Sequence, residues 1–233
     1  MTNRMKNMML AAVLLFAATF VQAQEVQLGL RAGVNLGNVR ATEILDVAAP
    51  DFNTLASFQA SAFADIPVAG SFAFQPELSY NRKGFQFADG MGVDLFGIEL
   101  PVGVRTNTSF DYLETALLGK VYFGEGNTRF YAVAGPSFGY ATVGQVKVST
   151  VGIVELDLSS FNLDLSTIGY EQFEVSGIVG GGVAIPAGTG TVQIDARYQH
   201  GFTQLYDIPL VAESLRNQGF ILSAGYAIPL GGN

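Results

Sequence analysis

Gly135-Pro-Ser-Phe-Gly139 has the G-x-S-x-G spacing that, in a nucleophile elbow, lifts a serine hydroxyl off a sharp strand-to-helix turn. Ser137 here sits in a run that alternates like a strand, so it is not assigned as a nucleophile. His200 is the single histidine, and it alternates onto an apolar row beside Tyr198 and Phe202. That row suits a girdle at a membrane surface better than a catalytic base. The chain has no cysteine, which removes thiol nucleophiles, thiolate zinc sites and disulfides. The glycines of GIVGGGVAIPAG (177–188) lack the spacing of a dinucleotide fingerprint and are expected to relieve crowding inside a narrow barrel. No catalytic, cofactor-binding or metal residue is therefore assigned, and the protein is expected not to be an enzyme.

The charges left over are more informative. Arg31, Glu77, Glu114, Lys120, Glu174, Asp195 and Arg197 all fall on the polar side of alternating segments. Buried charges are costly unless paired, so these seven are expected to form a structural network inside the fold. A second group of acids gathers in long loops: Glu43, Asp46 and Asp51 in the first, and Glu155, Asp157, Asp164 and Glu171 in the third. They offer a surface for a cation or an external protein, or simply a solvated acidic face.

Positioning these residues requires strands. In 191–203, Val192, Ile194, Ala196, Tyr198, His200 and Phe202 share one side, while Gln193, Asp195, Arg197 and Gln199 share the other. In 72–80 the sides are Phe72, Phe74, Pro76, Leu78 and Tyr80 against Ala73, Gln75, Glu77 and Ser79. Side chains alternate across a strand, so each segment has one oily and one polar face. Eight such strands are expected: Val26–Leu36, Phe58–Ile66, Phe72–Phe85, Phe110–Phe123, Phe130–Val143, Phe173–Ile185, Thr191–Thr203 and Gly219–Ile228. Ile98–Arg105 is placed as an extension rather than a ninth strand. Pro76 and Pro136 fall inside strands, where bulges are expected.

Three tight connections (PVAGS, GEGNTR and PAGTG) alternate with four long ones, 37–57, 86–109, 144–172 and 204–218. Ile-Pro at 66–67, 185–186 and 228–229 falls at the tight-turn side, where proline withdraws a ladder donor and glycine supplies the turn, whereas Ile208-Pro209 and the similar Leu100-Pro101 fall inside long connections. An even strand number with tight turns at one end and long loops at the other predicts an all-β, eight-stranded antiparallel up-and-down transmembrane β-barrel.

Composition agrees. Only 14% of the 233 residues are charged, 49% are hydrophobic, and mean hydropathy is positive. Beyond the N-terminus no apolar run reaches the roughly 18 residues of a spanning helix. Residues 1–23 read as a removed signal peptide: Arg4 and Lys6, then an apolar stretch, then Val21-Gln22-Ala23. Residues 24–233 form the barrel domain, exported to the cell outer membrane. The net charge of −8 without a basic stripe excludes nucleic acid as a partner. The expected partners are outer-membrane lipid and lipopolysaccharide, with an external protein or cation at the acidic loops.

FQPELSYNRKG, DYLETALLGKVYF, FYAVAGPSFGY and NQGFILSAGY resemble the PorT-type outer-membrane β-barrel family. The resemblance implies an eight-stranded barrel in the outer membrane and supplies no reaction. An eight-stranded lumen is just wide enough for side chains to fill, so the expected role is structural or surface interaction through the long loops. A small pore for polar solutes is the alternative. An outer-membrane lipid-modifying enzyme is a third reading, for which no acid–base set lies on one face.

Overall fold

The computed structural model describes residues 26–40, 53–95, 98–151, 157–163, 165, 170–204 and 216–231. The proposed leader, and Glu43, Asp46, Asp51, Glu155 and Asp164 of the acidic loops, lie outside the described residues. Among the described residues nine strands follow one another: β1 Gln27–Arg40, β2 Asn53–Ala69, β3 Phe72–Leu95, β4 Ile98–Phe123, β5 Arg129–Val151, β6 Asp157–Leu163, β7 Phe173–Ala187, β8 Gly190–Gly201 and β9 Arg216–Pro229.

Eight of them close a ring. Each strand pairs antiparallel with its neighbour, β5 pairs β7 directly, and β1 closes on β9 from Gln27↔Pro229 to Arg40↔Arg216. Closure removes both sheet edges, the condition for a sheet to stand in hydrocarbon with every backbone group paired. The ninth strand stands outside the ring. β5 pairs β7 as far as Tyr140↔Phe173, then continues and pairs β6 from Gly144↔Leu163 to Ser149↔Asp157.

The expected strands are all present, and two of the expected long loops are not loops. Residues 86–95 and 98–109 continue β3 and β4 as paired strands, in register from Gln86↔Asn107 to Leu95↔Ile98. Ile98–Arg105 is accordingly the start of β4 and not a separate strand. The 144–172 segment carries the end of β5 and all of β6. One end of the barrel thus has extended hairpins, and the other has tight turns.

The tight turns are built as their composition predicts. Gly70, Gly124, Gly126 and Gly188 sit in them with φ of 56°, 97°, 102° and 60°, a region open to glycine at little cost. The Ile-Pro pairs at 66–67, 185–186 and 228–229 lie at this end, but the prolines do not stop the strands outright: Pro67 and Pro186 still have cross-strand partners, Ala73 and Thr191.

Pro76 and Pro136 produce no bulge. Pro76 keeps its partner Leu117 on β4, while pairing with β2 lapses between Phe63↔Glu77 and Ile66↔Phe74 without a change of register. Pro136 keeps Gly177 on β7 and loses β4 between Ala116↔Ser137 and Gly119↔Ala134. A strand residue points its N–H at one neighbour only, so a proline weakens a single seam. The lapse at Pro76 leaves an apolar groove of about 630 Å³ in the outer wall between Leu28, Ala62 and Leu78. Register shifts fall elsewhere: Thr54/Gln59, Pro67/Ala69, Asp111/Tyr112 and Val148/Ser149.

The two faces of the wall differ as the alternation requires. Leu30, Leu78, Leu113, Leu117, Val179, Ile194 and Leu222 point outward and are exposed. Aromatic residues flank this aliphatic band, with Phe72, Phe74, Phe123, Phe130 and Tyr226 toward the tight turns and Phe58, Tyr80, Phe138, Tyr140, Phe173 and Phe202 toward the hairpins. Two aromatic girdles around an apolar band are the signature of a barrel standing in a bilayer. Among the described residues no helix is long and apolar enough to cross a membrane; the strands do so.

Candidate functional site: the filled lumen

All seven charges singled out by alternation point into the barrel and are buried. The structure sorts them into two tiers. Toward the tight turns, Arg31 meets Glu77 at 2.9 Å and Asp195 at 3.1 Å, and Arg197 meets the same two carboxylates at 2.9 and 3.1 Å. The two guanidinium groups and two carboxylates form a closed ring across the lumen, contributed by β1, β3 and β8. Around it, Gln75 donates to Glu77 at 3.0 Å, and the Tyr131 and Ser223 hydroxyls donate to Asp195 at 2.8 and 2.6 Å. Lys120 donates to Asp65 at 2.7 Å and to Gln193 at 3.0 Å, while the Tyr122 hydroxyl also donates to Asp65. Three cations face three carboxylates, so the tier is electrically balanced, as charges removed from water must be.

Aromatic rings complete the packing. The Lys120 ammonium lies 4.1 Å from the Tyr131 ring centre and 4.8 Å from that of Tyr122, and Arg31 lies 4.5 Å from that of Phe63. Room for these groups is made by glycine. A Cβ on Gly182 would come within 2.7 Å of the Tyr131 ring and 2.6 Å of Asp195 Cβ, and one on Gly180 within 2.8 Å of the Arg197 side chain. The glycine run of β7 thus relieves crowding in the lumen.

The second tier lies toward the hairpins. Lys83 is held between Glu114 at 2.6 Å and Glu174 at 2.7 Å. Asn81 and Gln199 donate to Glu114 at 3.0 and 3.1 Å, and Asn217 donates to Glu174 at 2.5 Å. Above it the chain before β7 folds inward. The Tyr170 ring stacks on Phe110 with centres 4.2 Å apart, its hydroxyl lies 2.5 Å from that of Tyr112, and its N–H donates to the Leu165 carbonyl. Beside Lys83, Gln199 and Asn217 the described residues leave a cavity of about 10 Å³, room for about one water.

Alternation missed three members of this interior. Asp65 was hidden because Phe63 interrupts the polar row Gln59, Ser61, Asp65. Lys83 continues the row Gln75, Glu77, Ser79, Asn81 beyond Tyr80, where the apolar alternation of that strand ends. Nothing in the sequence marks Tyr170, which acts from a loop.

The enzyme candidates are not brought together. Ser137 lies mid-strand in β5, pointing inward with its hydroxyl unpaired. His200 points outward on β8, 3.4 Å from the Tyr198 hydroxyl and edge-on to Phe202. Among the described residues no group of His, Cys, Asp and Glu is arranged to hold a metal ion.

A closed eight-stranded wall with an apolar exterior and a charged, filled interior defines the class of bacterial outer-membrane β-barrels. The chain matches the family described as outer membrane protein beta-barrel domain over residues 22–207. It belongs to that family and to the outer membrane. Among solved structures it is similar to Neisserial surface protein A, with 12% identity, a TM-score of 0.46, and coverage of 87% of this chain and 97% of that one. It is also similar to Yersinia pestis Ail, solved with the heparin analogue sucrose octasulfate, at 14% identity and TM-score 0.40, covering 88% and 100%. Pseudomonas aeruginosa OprG is similar at 11% identity and TM-score 0.41, covering 88% and 97%. No curated protein matches the chain.

Proposed function

We propose that the protein is a non-conducting, non-enzymatic surface barrel that acts through its hairpin end, held outside the cell after removal of residues 1–23. The observation that carries this is the interior: two ion-paired tiers and the Tyr170 stack fill the lumen. A pore for polar solutes needs a continuous wet path, and ion pairs of this geometry would have to break to open one. The seven lumen charges then serve the wall rather than a substrate. A rigid scaffold carrying long extensions is the usual place for binding. The extensions here are paired hairpins plus an acidic segment that includes exposed Glu171. Their partner class is an external protein or a cation, and the wall contacts lipid and lipopolysaccharide. Within its family, the four sequence stretches quoted above support a PorT-type barrel.

Purified protein in planar bilayers tests this. No steady ion conductance is expected; reproducible, voltage-stable channels from a heat-modifiable, folded preparation would establish the pore instead.

A further inference from the structure

On the outer wall, at the hairpin end, pairing between β2 and β3 lapses where Thr54↔Phe85 gives way to Gln59↔Asn81 with a one-residue shift. The Ser57 hydroxyl bridges the gap by donating to the Arg82 carbonyl at 2.5 Å. The lapse opens a groove of about 370 Å³ that runs across β2, β3, β4 and β5, with Phe58, Tyr80, Arg82, Asn107, Gln145 and Lys147 among its lining. Bulges re-aim side chains and recur beside functional sites. We propose that this groove binds the phosphorylated sugar headgroup of an outer-leaflet glycolipid.

Depth is the first argument. Phe58 and Tyr80 belong to the aromatic girdle, and girdles mark the level of lipid headgroups. A groove of mixed polar and apolar lining there, on the outward face, meets headgroups before it meets solutes. Charge is the second. Asp111 grips Arg82 through Nε at 2.6 Å and Nη2 at 3.0 Å, which leaves Nη1 without a partner among the described residues and the side chain 37% exposed. Lys147 is exposed and pairs with no described acid. With Asp111 counted against Arg82, the groove still carries one net positive charge, and a fixed guanidinium edge beside an ammonium suits phosphate. The third argument separates a sugar from a plain phosphodiester. The side-chain oxygen of Asn107 is buried and accepts no hydrogen bond. A phosphodiester only accepts, whereas a sugar hydroxyl or acylated amine donates. One headgroup with both chemistries satisfies Asn107 and Lys147, which are cross-strand partners.

The inference rests on the hairpin end facing outward, which surface labelling of a cysteine in β6 reports separately. The protein is purified in mild detergent, its fold verified by heat-modifiability, and titrated with bis-phosphorylated lipid A under native mass spectrometry. Lys147→Glu and Asn107→Leu should each weaken retention by about tenfold, the worth of one charge-assisted contact, and Lys147→Arg should restore it. Dephosphorylated lipid A should bind the wild type weakly and be indifferent to Lys147→Glu. Equal retention by Lys147→Glu, or an equal Lys147→Glu effect on the dephosphorylated lipid, overturns the site. Displacement by millimolar inorganic phosphate would make it a free-anion site and also overturn it. Labelling that places β6 in the periplasm overturns the orientation and the site together.

Discussion

Lys120 illustrates what each interior charge requires. Its ammonium is fully buried between two tyrosine rings, and among the described residues its one carboxylate partner is Asp65. Replacing it by methionine keeps most of the volume but strands Asp65 with the Tyr122 hydroxyl and a long contact from Gln193. Removal of one partner of a buried pair costs about 3–5 kcal/mol, while replacing both is far milder. Lys120→Met should therefore lower barrel stability by that amount. The double variant Asp65→Asn/Lys120→Met should recover more than half of the loss. Urea unfolding followed by the heat-modified gel shift reads both, and simple addition of the two single losses would show that the residues are not coupled. Asp65 also shows why the site was only partly legible. Seven interior charges follow from alternation alone, because a strand has just two faces. Asp65 and Lys83 were lost where a phenylalanine entered the polar row and where a strand ran longer than its apolar pattern.

At the level of the strand, β8 carries the clearest pattern in the chain, and its outer face provides the next test. Ile194 is 49% exposed on the outward side, between two residues that enter the interior network. Ile194→Arg puts a charge into the apolar band and should destabilise the barrel by about 2–4 kcal/mol; Ile194→Leu should cost under about 1.5 kcal/mol, as volume-conserving swaps do. An arginine there that leaves the urea midpoint unchanged would reverse the assignment of faces. The neighbouring Gln193 is not a neutral control, since its side-chain oxygen accepts from both Lys120 and Arg31. The same strand logic explains why the hairpins were illegible. Inside a bilayer one face must be apolar and the other must not, which prints a period of two on the sequence. A hairpin beyond the bilayer owes neither face to lipid, so 86–109, punctuated by glycines and Pro101, reads as a loop although its backbone pairs from Gln86↔Asn107 to Leu95↔Ile98. β6 was missed for the same reason. The prolines misled in the opposite direction: a bulge was expected for each, but losing one donor on one seam did not require the register to shift.

For the whole molecule the outstanding quantity is orientation, because both the proposed partner surface and the glycolipid groove depend on which end faces out. The tight turns, the start of β1 and the end of β9 share one end, since Gln27 pairs with Asp65 and Pro229 and Thr191 pairs with Ala227. Hairpins and the Tyr170 stack occupy the other. The chain has no cysteine, so a single introduced thiol reports without background. Ser159, in β6 opposite Val148, marks the hairpin end. For the tight-turn end Asn127 is preferable to Gly126, whose φ of 102° would strain any side chain placed there. Ser159→Cys should react with a membrane-impermeant maleimide on intact cells, while Asn127→Cys should react only after the outer membrane is breached. The reverse pattern would put the hairpins in the periplasm. The exposed cations of the outer-wall groove would then face inner-leaflet phospholipid, and the acidic segment before β7 would meet periplasmic partners instead of external ones.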